Sequence, residues 1–177
     1  RRARALISQG PPMNNSAPIG VFDSGVGGLT VVRALHRLMP AENIIYLGDT
    51  ARVPYGNKSP ETVRRFSMEV CRFLLRWQVK AIVVACNTAS ALALSALKRA
   101  MPVPVIDVIH PSARAAARLD GVRRLGVIGT HATIKSGAYP RALRRIAPWI
   151  RVFSRPCPLL VPLVEENWVE HPASKLI

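Results

Sequence analysis

"AIVVACNTASALALSALKRAM", residues 81–101, joins a run of six small and apolar residues to a longer segment rich in Ala and Leu. The run ends at Cys86, and the longer segment has the composition of a helix. A hydrophobic strand that passes directly into a helix is the repeating unit of α/β proteins. Cys86, followed by Asn87 and Thr88, therefore stands at a strand-to-helix junction, the place where parallel sheets bind ligands.

The same unit recurs on both sides of this stretch. We predict continuous hydrophobic strands at residues 19–23, 44–49, 81–86, 103–109, 124–130 and 149–154. We predict helices at residues 29–39, 60–77, 87–101, 111–119 and about 133–146. The spacing within the second helix predicts that one stripe is buried, formed by Val63, Phe66, Val70, Phe73 and Trp77. Because the strands are continuously apolar rather than alternating, we expect parallel sheets covered on both faces.

The fold class that follows is α/β, with two doubly wound parallel-sheet αβ domains, the second of them incomplete. The strand–helix pattern restarts near residue 122, which predicts a domain boundary at about residues 110–122. We assign residues 1–17 to a disordered leader, residues 18–110 to an N-terminal domain that carries Cys86, and residues 111–177 to a partial second domain.

The formal net charge is +15, and residues 123–155 hold eight Arg or Lys residues and no acid. Such a field suits an anionic small substrate or a nucleic acid. No aromatic platform or helix-turn-helix pattern accompanies the charge, so we do not expect nucleic acid to be the partner. No apolar run reaches the roughly 18 residues that a membrane span needs, so we expect a cytoplasmic protein with no membrane association. The three cysteines, Cys71, Cys86 and Cys157, lack the spacing of a zinc site or a disulfide framework.

The first predicted strand is followed by Asp23, Ser24 and a glycine-rich turn. Thr30 stands where a dinucleotide-binding fingerprint needs Gly or Ala, so we do not expect a nucleotide here. The carboxylate of Asp23 would suit an ammonium group or orient a neighbouring base. A purely structural role, in which Asp23 and Ser24 cap the next helix, is equally open.

Two other loops carry polar residues at corresponding positions. Tyr55 and Gly56 form a compact turn after the second strand, which is also consistent with an ordinary loop. Thr130 and Thr133 follow the strand at 124–130, where two hydroxyls at a helix start would suit a carboxylate. A simple N-cap at Thr133 is the competing interpretation.

Cys86 is either a small buried residue or a reactive thiol. Its place at a helix start predicts a lowered pKa. None of the four histidines has a recognisable partner motif for a Cys-His hydrolase. From the residues alone, both interpretations remain open.

Five segments, taken in their order along the chain, favour the reactive interpretation of Cys86. They are PIGVFDSGVGGLTV (18–31), YLGDTARVPYGNKS (46–59), VVACNTASA (83–91), LGVIGTHATIKSGAY (125–139) and CPLLVPLVEE (157–166). Together they closely resemble the glutamate racemase family of the cofactor-independent aspartate/glutamate racemase superfamily. The resemblance covers roughly residues 18–170.

The resemblance implies two αβ domains with the active site between them and glutamate as the substrate. It implies interconversion of L- and D-glutamate for peptidoglycan synthesis, without pyridoxal phosphate, other cofactor or metal. Two cysteines would act on opposite faces of the substrate, and Cys86 matches the first of them. The positions that match substrate contacts are Asp23, Ser24, Tyr55, Gly56, Asn87 and Thr88. The positions that match supporting residues are Thr130, Thr133 and Glu165.

The sequence departs from the family at the second catalytic cysteine, whose Gly-Cys-Thr-His motif is absent. Cys157 lies between two prolines and Cys71 within a predicted helix, so we expect both to be structural. The sequence therefore looks like a truncated family member, and we expect that this chain alone cannot racemise glutamate at a useful rate. A racemase of aspartate or another amino acid, and a non-catalytic amino-acid-binding fragment, are the alternatives, and a homodimer is left open.

Overall fold

The computed structural model describes residues 16–168 and 170–172. Residues 1–15 of the predicted leader lie outside the described residues. A four-stranded parallel sheet forms the larger layer, with strands β1 (Ile19–Asp23), β2 (Ile44–Gly48), β3 (Ala81–Val84) and β4 (Val105–Asp107). The strand order in the sheet is β2-β1-β3-β4. After β2 the chain crosses to the other side of β1, so the strand order changes direction between β1 and β3. The carboxyl ends of these two strands form the switch point where such sheets bind ligands.

The first two helices cover opposite faces of this sheet. Helix α1 (Leu29–Leu38) lies against the face that carries Val21 and Val83, and helix α2 (Pro60–Leu75) covers the face that carries Phe22 and Val84. The opposite faces follow from the alternation of side chains along each strand. The α/β class and the parallel sheets predicted from the sequence are therefore confirmed.

Helix α2 begins as predicted, because the Ser59 side chain accepts a hydrogen bond from the Thr62 N–H at 3.2 Å. The predicted buried stripe is partly wrong. Phe73 is 43% exposed and Trp77 is 56% exposed. The buried stripe instead runs along the residues Val63, Ser67, Val70, Cys71 and Leu74.

The segment after β3 forms two short helices, α3 (Asn87–Leu92) and α4 (Leu94–Ala100), where one was predicted. Ala93 separates them with φ −111°, although the Ala93 N–H still bonds to the Ala89 carbonyl. Helix α5 (Ile109–Ala117) follows β4.

A second, two-stranded parallel sheet consists of β5 (Arg124–Gly129) and β6 (Arg151–Pro156). Between them lie α6 (His131–Ser136) and α7 (Ala138–Ile146), where one helix was predicted. Gly137 breaks the predicted helix with φ +65°, a conformation that favours glycine. Helix α8 (Leu160–Glu165) completes the described elements.

Helix α5 packs against this second unit through a cluster that includes Ile109, Ala113, Leu143 and Ile150. The division into domains near residues 110–122 stays a prediction. In the described ranges, no helix is both long and apolar enough to span a membrane.

Candidate active site

A cleft of about 730 Å³ opens at the switch point between β1 and β3. Its walls include the loop that follows β1, the short turn before α2, the start of α3, the loop before α6, and α8. Nine of the ten predicted site residues line it: Asp23, Ser24, Tyr55, Gly56, Cys86, Asn87, Thr88, Thr130 and Glu165. The tenth, Thr133, is buried directly behind Thr88 and Thr130.

Asp23 ends β1, and its buried carboxylate organises the glycine-rich turn. Its Oδ2 accepts hydrogen bonds from the Gly28 N–H at 2.9 Å and the Gly25 N–H at 3.2 Å. A Cβ at Gly28 would lie 2.5 Å from Asp23 Cβ, so only glycine lets the backbone at residue 28 approach Asp23 this closely. The N-cap residue of α1 is Gly28, so Asp23 orders the turn before the helix and does not cap it, and Asp23 also lines the cleft.

Cys86 is the N-cap of α3, and its side chain is buried at the base of the cleft. Its thiol donates to Ser24 Oγ, and its sulfur accepts from the Ala89 N–H, both at 3.4 Å. Burial, followed by the negative charge of Asp23, raises the pKa of the Cys86 thiol to about 11. The prediction of a lowered pKa is therefore wrong for the free cleft, because desolvation outweighs the two hydrogen bonds.

Tyr55 lines the cleft, and its hydroxyl is hydrogen-bonded within the protein. Tyr55 Oη donates to Asp49 Oδ2 at 2.5 Å, and the Arg52 side chain donates to Asp49 Oδ1 at 3.0 Å. Burial and this bond to a carboxylate raise the pKa of Tyr55. The hydroxyl is therefore a structural group of a residue that lines the cleft.

Three threonine hydroxyls join the two units beside the cleft. Thr130 Oγ1 lies 3.0 Å from both Thr88 Oγ1 and Thr133 Oγ1, and the latter two lie 3.2 Å apart. The N-cap of α6 is Thr130 rather than the predicted Thr133, since Thr130 Oγ1 accepts from the Thr133 N–H at 3.2 Å. Gly56 packs against Thr130 so closely that a Cβ would lie 2.5 Å from Thr130 Cβ.

Glu165 of α8 lines the cleft beside the glycine-rich turn. A Cβ at Gly25 would lie 1.9 Å from Glu165 Oε1, so the carboxylate rests directly on this turn. Burial and the charge of Asp23 raise the pKa of Glu165. Two carboxylates from distant parts of the chain thus face one space.

The charge of the cleft is opposite to that of the chain. Among the described residues, the charged side chains in its lining are acidic, namely Asp23, Asp107 and Glu165. The described basic residues that contribute to the chain's net charge of +15 are therefore not among those that line the cleft. Neutral donors such as Ser24 and Asn87 are left to meet any carboxylate that binds.

Sequence reasoning missed three residues that hold the site in place. Asp49 binds Tyr55, Tyr46 Oη donates to the Gly25 carbonyl at 2.8 Å, and Tyr139 Oη donates to Asn87 Oδ1 at 2.7 Å. Asp49 follows β2 as Asp23 ends β1, so the same strand-end rule could have found it. Nothing in the sequence pattern indicated the long-range bond of Tyr139.

In the part of the chain that the structure describes, no group of three His, Cys, Asp or Glu side chains could hold a metal ion.

Residues 19–162 match the Asp/Glu/Hydantoin racemase family, which is more than half of the chain. The chain belongs to this family.

Other racemases of this family are similar along nearly the whole chain. The glutamate racemase of Syntrophus aciditrophicus is 56% identical over 159 residues, which cover 90% of this chain and 59% of the relative. The crystal structure of glutamate racemase from Thermus thermophilus with β-chloro-D-alanine is 56% identical, with a TM-score of 0.79, and the match covers 91% of this chain and 59% of that one.

The structure of the Francisella tularensis glutamate racemase in complex with D-glutamate is 45% identical, with a TM-score of 0.83. That match covers 91% of this chain and 60% of the other. The chain thus spans about 59% of the length of the curated relatives it matches.

Proposed function

We propose that the cleft binds glutamate and that Cys86 is one of the proton-transferring groups of a glutamate racemase. The observation that carries the proposal is a buried thiol at the base of a cleft whose walls present three carboxylates and several neutral donors. The complex of the Francisella relative with D-glutamate supports this choice of substrate. Supply of D-glutamate for peptidoglycan is the role that the family resemblance implies.

The charges of the cleft match the parts of an amino acid. An α-ammonium group placed near Asp23 and Glu165 would be paired with carboxylates, which is favourable at a site of low dielectric. The substrate carboxylates would then meet hydroxyl and amide donors from Ser24, Asn87 and Thr88, at the switch point where backbone N–H groups also converge.

Substrate binding would also prepare the thiol. Burial and the charge of Asp23 raise the pKa of Cys86 to about 11, which favours the protonated thiol at neutral pH. An ammonium group near Asp23 offsets the charge of that carboxylate, and an opposite charge close to a thiol lowers its pKa. The ammonium group of a bound amino acid would therefore raise the thiolate fraction.

The proposed step is a proton transfer between carbon and sulfur. The C–H bond at Cα breaks, the S–H bond of Cys86 forms, and the electron pair stays on the substrate as a carbanion-like group next to its carboxylate. Inversion needs a proton delivered to the opposite face. Neither Cys71, buried in α2, nor Cys157, at the end of β6, lines the cleft, so we propose that this chain alone does not invert glutamate.

Calorimetric titration of the chain with L- and D-glutamate tests binding, and circular dichroism of the amino acid follows racemisation. We expect saturable binding that is weakened by Asp23→Ala, and no net change of optical activity. The absence of glutamate binding by the folded chain would contradict the proposal.

A further inference from the structure

A second cavity, of about 700 Å³, lies beside the candidate active site. Gly56 lines both spaces, so the turn at Tyr55–Asn57 separates them. The rest of the second lining comes from the residues after this turn, from Leu92 of α3, and from α6. Its size falls within the range of roughly 300–1,000 Å³ that is typical of sites for small molecules.

The charge of this cavity is opposite to that of the cleft. Its lining contains Lys58, His131 and Lys135, and the part of it that the structure describes contains no acid. In the described ranges, no carboxylate lies within 4.0 Å of either lysine nitrogen. The two lysines come from segments far apart in sequence and line one concave space.

The remaining polar groups of the cavity are mostly engaged by the protein itself. Ser59 Oγ accepts from the Thr62 N–H, and Ser136 Oγ donates to the Thr133 carbonyl at 2.5 Å. Leu92 and Pro60 add apolar surface to the lining. The cavity thus presents unneutralised cations beside apolar surface, and a bound ligand would have to supply the negative charge.

We propose that this cavity binds a small dianion that carries phosphate or carboxylate groups. Lysine binds such groups as a point charge, and a dianion would neutralise two lysines that have no acidic partner. The proposal is independent of the function proposed for the cleft, because it uses no residue of the acidic lining. The ligand would contact the turn that carries Gly56, which also packs against Thr130.

Titration with inorganic phosphate at low ionic strength, followed by calorimetry, tests the proposal. The variants are Lys58→Met and Lys135→Met, and the control is Lys98→Met, which removes the same charge from an exposed position on α4. We expect each cavity variant to weaken phosphate binding about tenfold, the loss of one charge-assisted bond, and the control to change it less than about twofold.

Absence of saturable binding of both phosphate and succinate, or equal weakening in all three variants, would overturn the proposal. Equal weakening would mean that the anion responds to the diffuse field of the basic chain and not to this cavity. Succinate in a parallel titration distinguishes a carboxylate ligand from a phosphate ligand, and lysine-dependent binding of either supports the site. Cys86→Ala should leave phosphate binding unchanged. Circular dichroism spectra confirm that each variant is folded, which the exposure of Lys135 leads us to expect.

Discussion

The contact between Gly56 and Thr130 holds the two units together beside the cleft, and Gly56→Ala tests it directly. The added Cβ would lie 2.5 Å from both Cβ and Cγ2 of Thr130, and a Cβ cannot rotate away. Such overpacking costs about 1–3 kcal/mol. A displaced Thr130 would also weaken its bonds to Thr88 and Thr133, each worth about 0.5–1.5 kcal/mol.

We expect Gly56→Ala to lower the free energy of unfolding by about 2–4 kcal/mol, and Tm by roughly 5–15 °C. Urea and thermal denaturation measure these changes. The matched control is Gly126→Ala, because a Cβ at Gly126 meets no atom within 4 Å. The control should change stability by less than about 1 kcal/mol. Equal stability of the two variants would refute the reasoning and would mean that the turn does not touch α6.

Three further predictions concern the side chains of the cleft. The rate at which iodoacetamide alkylates Cys86, measured by peptide mass spectrometry, should rise with pH to a midpoint near 11, because burial raises the thiol pKa from 9.0. At pH 8 the rate should be about 100-fold below that of an ordinary thiol. A midpoint at or below 9 would contradict this prediction. Tyr55→Phe should lower the free energy of unfolding by about 1–3 kcal/mol in urea titrations, since buried Asp49 loses a donor, while glutamate affinity changes little; a large loss of affinity in a chain of unchanged stability would show that the hydroxyl meets the substrate. Tyr139→Phe should weaken glutamate binding by up to about tenfold in calorimetry, because Asn87 loses the bond that orients its amide; unchanged affinity would remove Tyr139 from the site.

Local sequence patterns predicted the residues that lie at the ends of the strands. Asp23 and Cys86 are more than sixty residues apart in sequence, yet both follow neighbouring parallel strands, so topology alone places them together. The hydrophobic runs and the turn residues predicted the parallel sheets and the loops that line the cleft. The rule that ligands bind at the carboxyl ends of parallel strands is therefore enough to identify polar residues such as these.

Other features depend on packing that no local pattern encodes. The pKa of Cys86 rises because the thiol is buried, and the depth of burial follows from the whole arrangement of the sheet and α3. Tyr139 and Asn87 meet because α7 packs beside α3 across 52 residues of sequence. The exposure of Phe73 depends on which side of α2 the sheet occupies, a choice that helical spacing alone leaves open.

The central claim is that Cys86 exchanges a proton with Cα of bound glutamate, and hydrogen exchange in D2O measures this step most directly. Proton NMR of each glutamate enantiomer, incubated with the 177-residue chain, reports deuterium at Cα, and chiral chromatography reports configuration. The account predicts exchange in one enantiomer with retention of configuration, and loss of that exchange in Cys86→Ala. Exchange that persists in Cys86→Ala, or no exchange by a chain that binds glutamate, would contradict it.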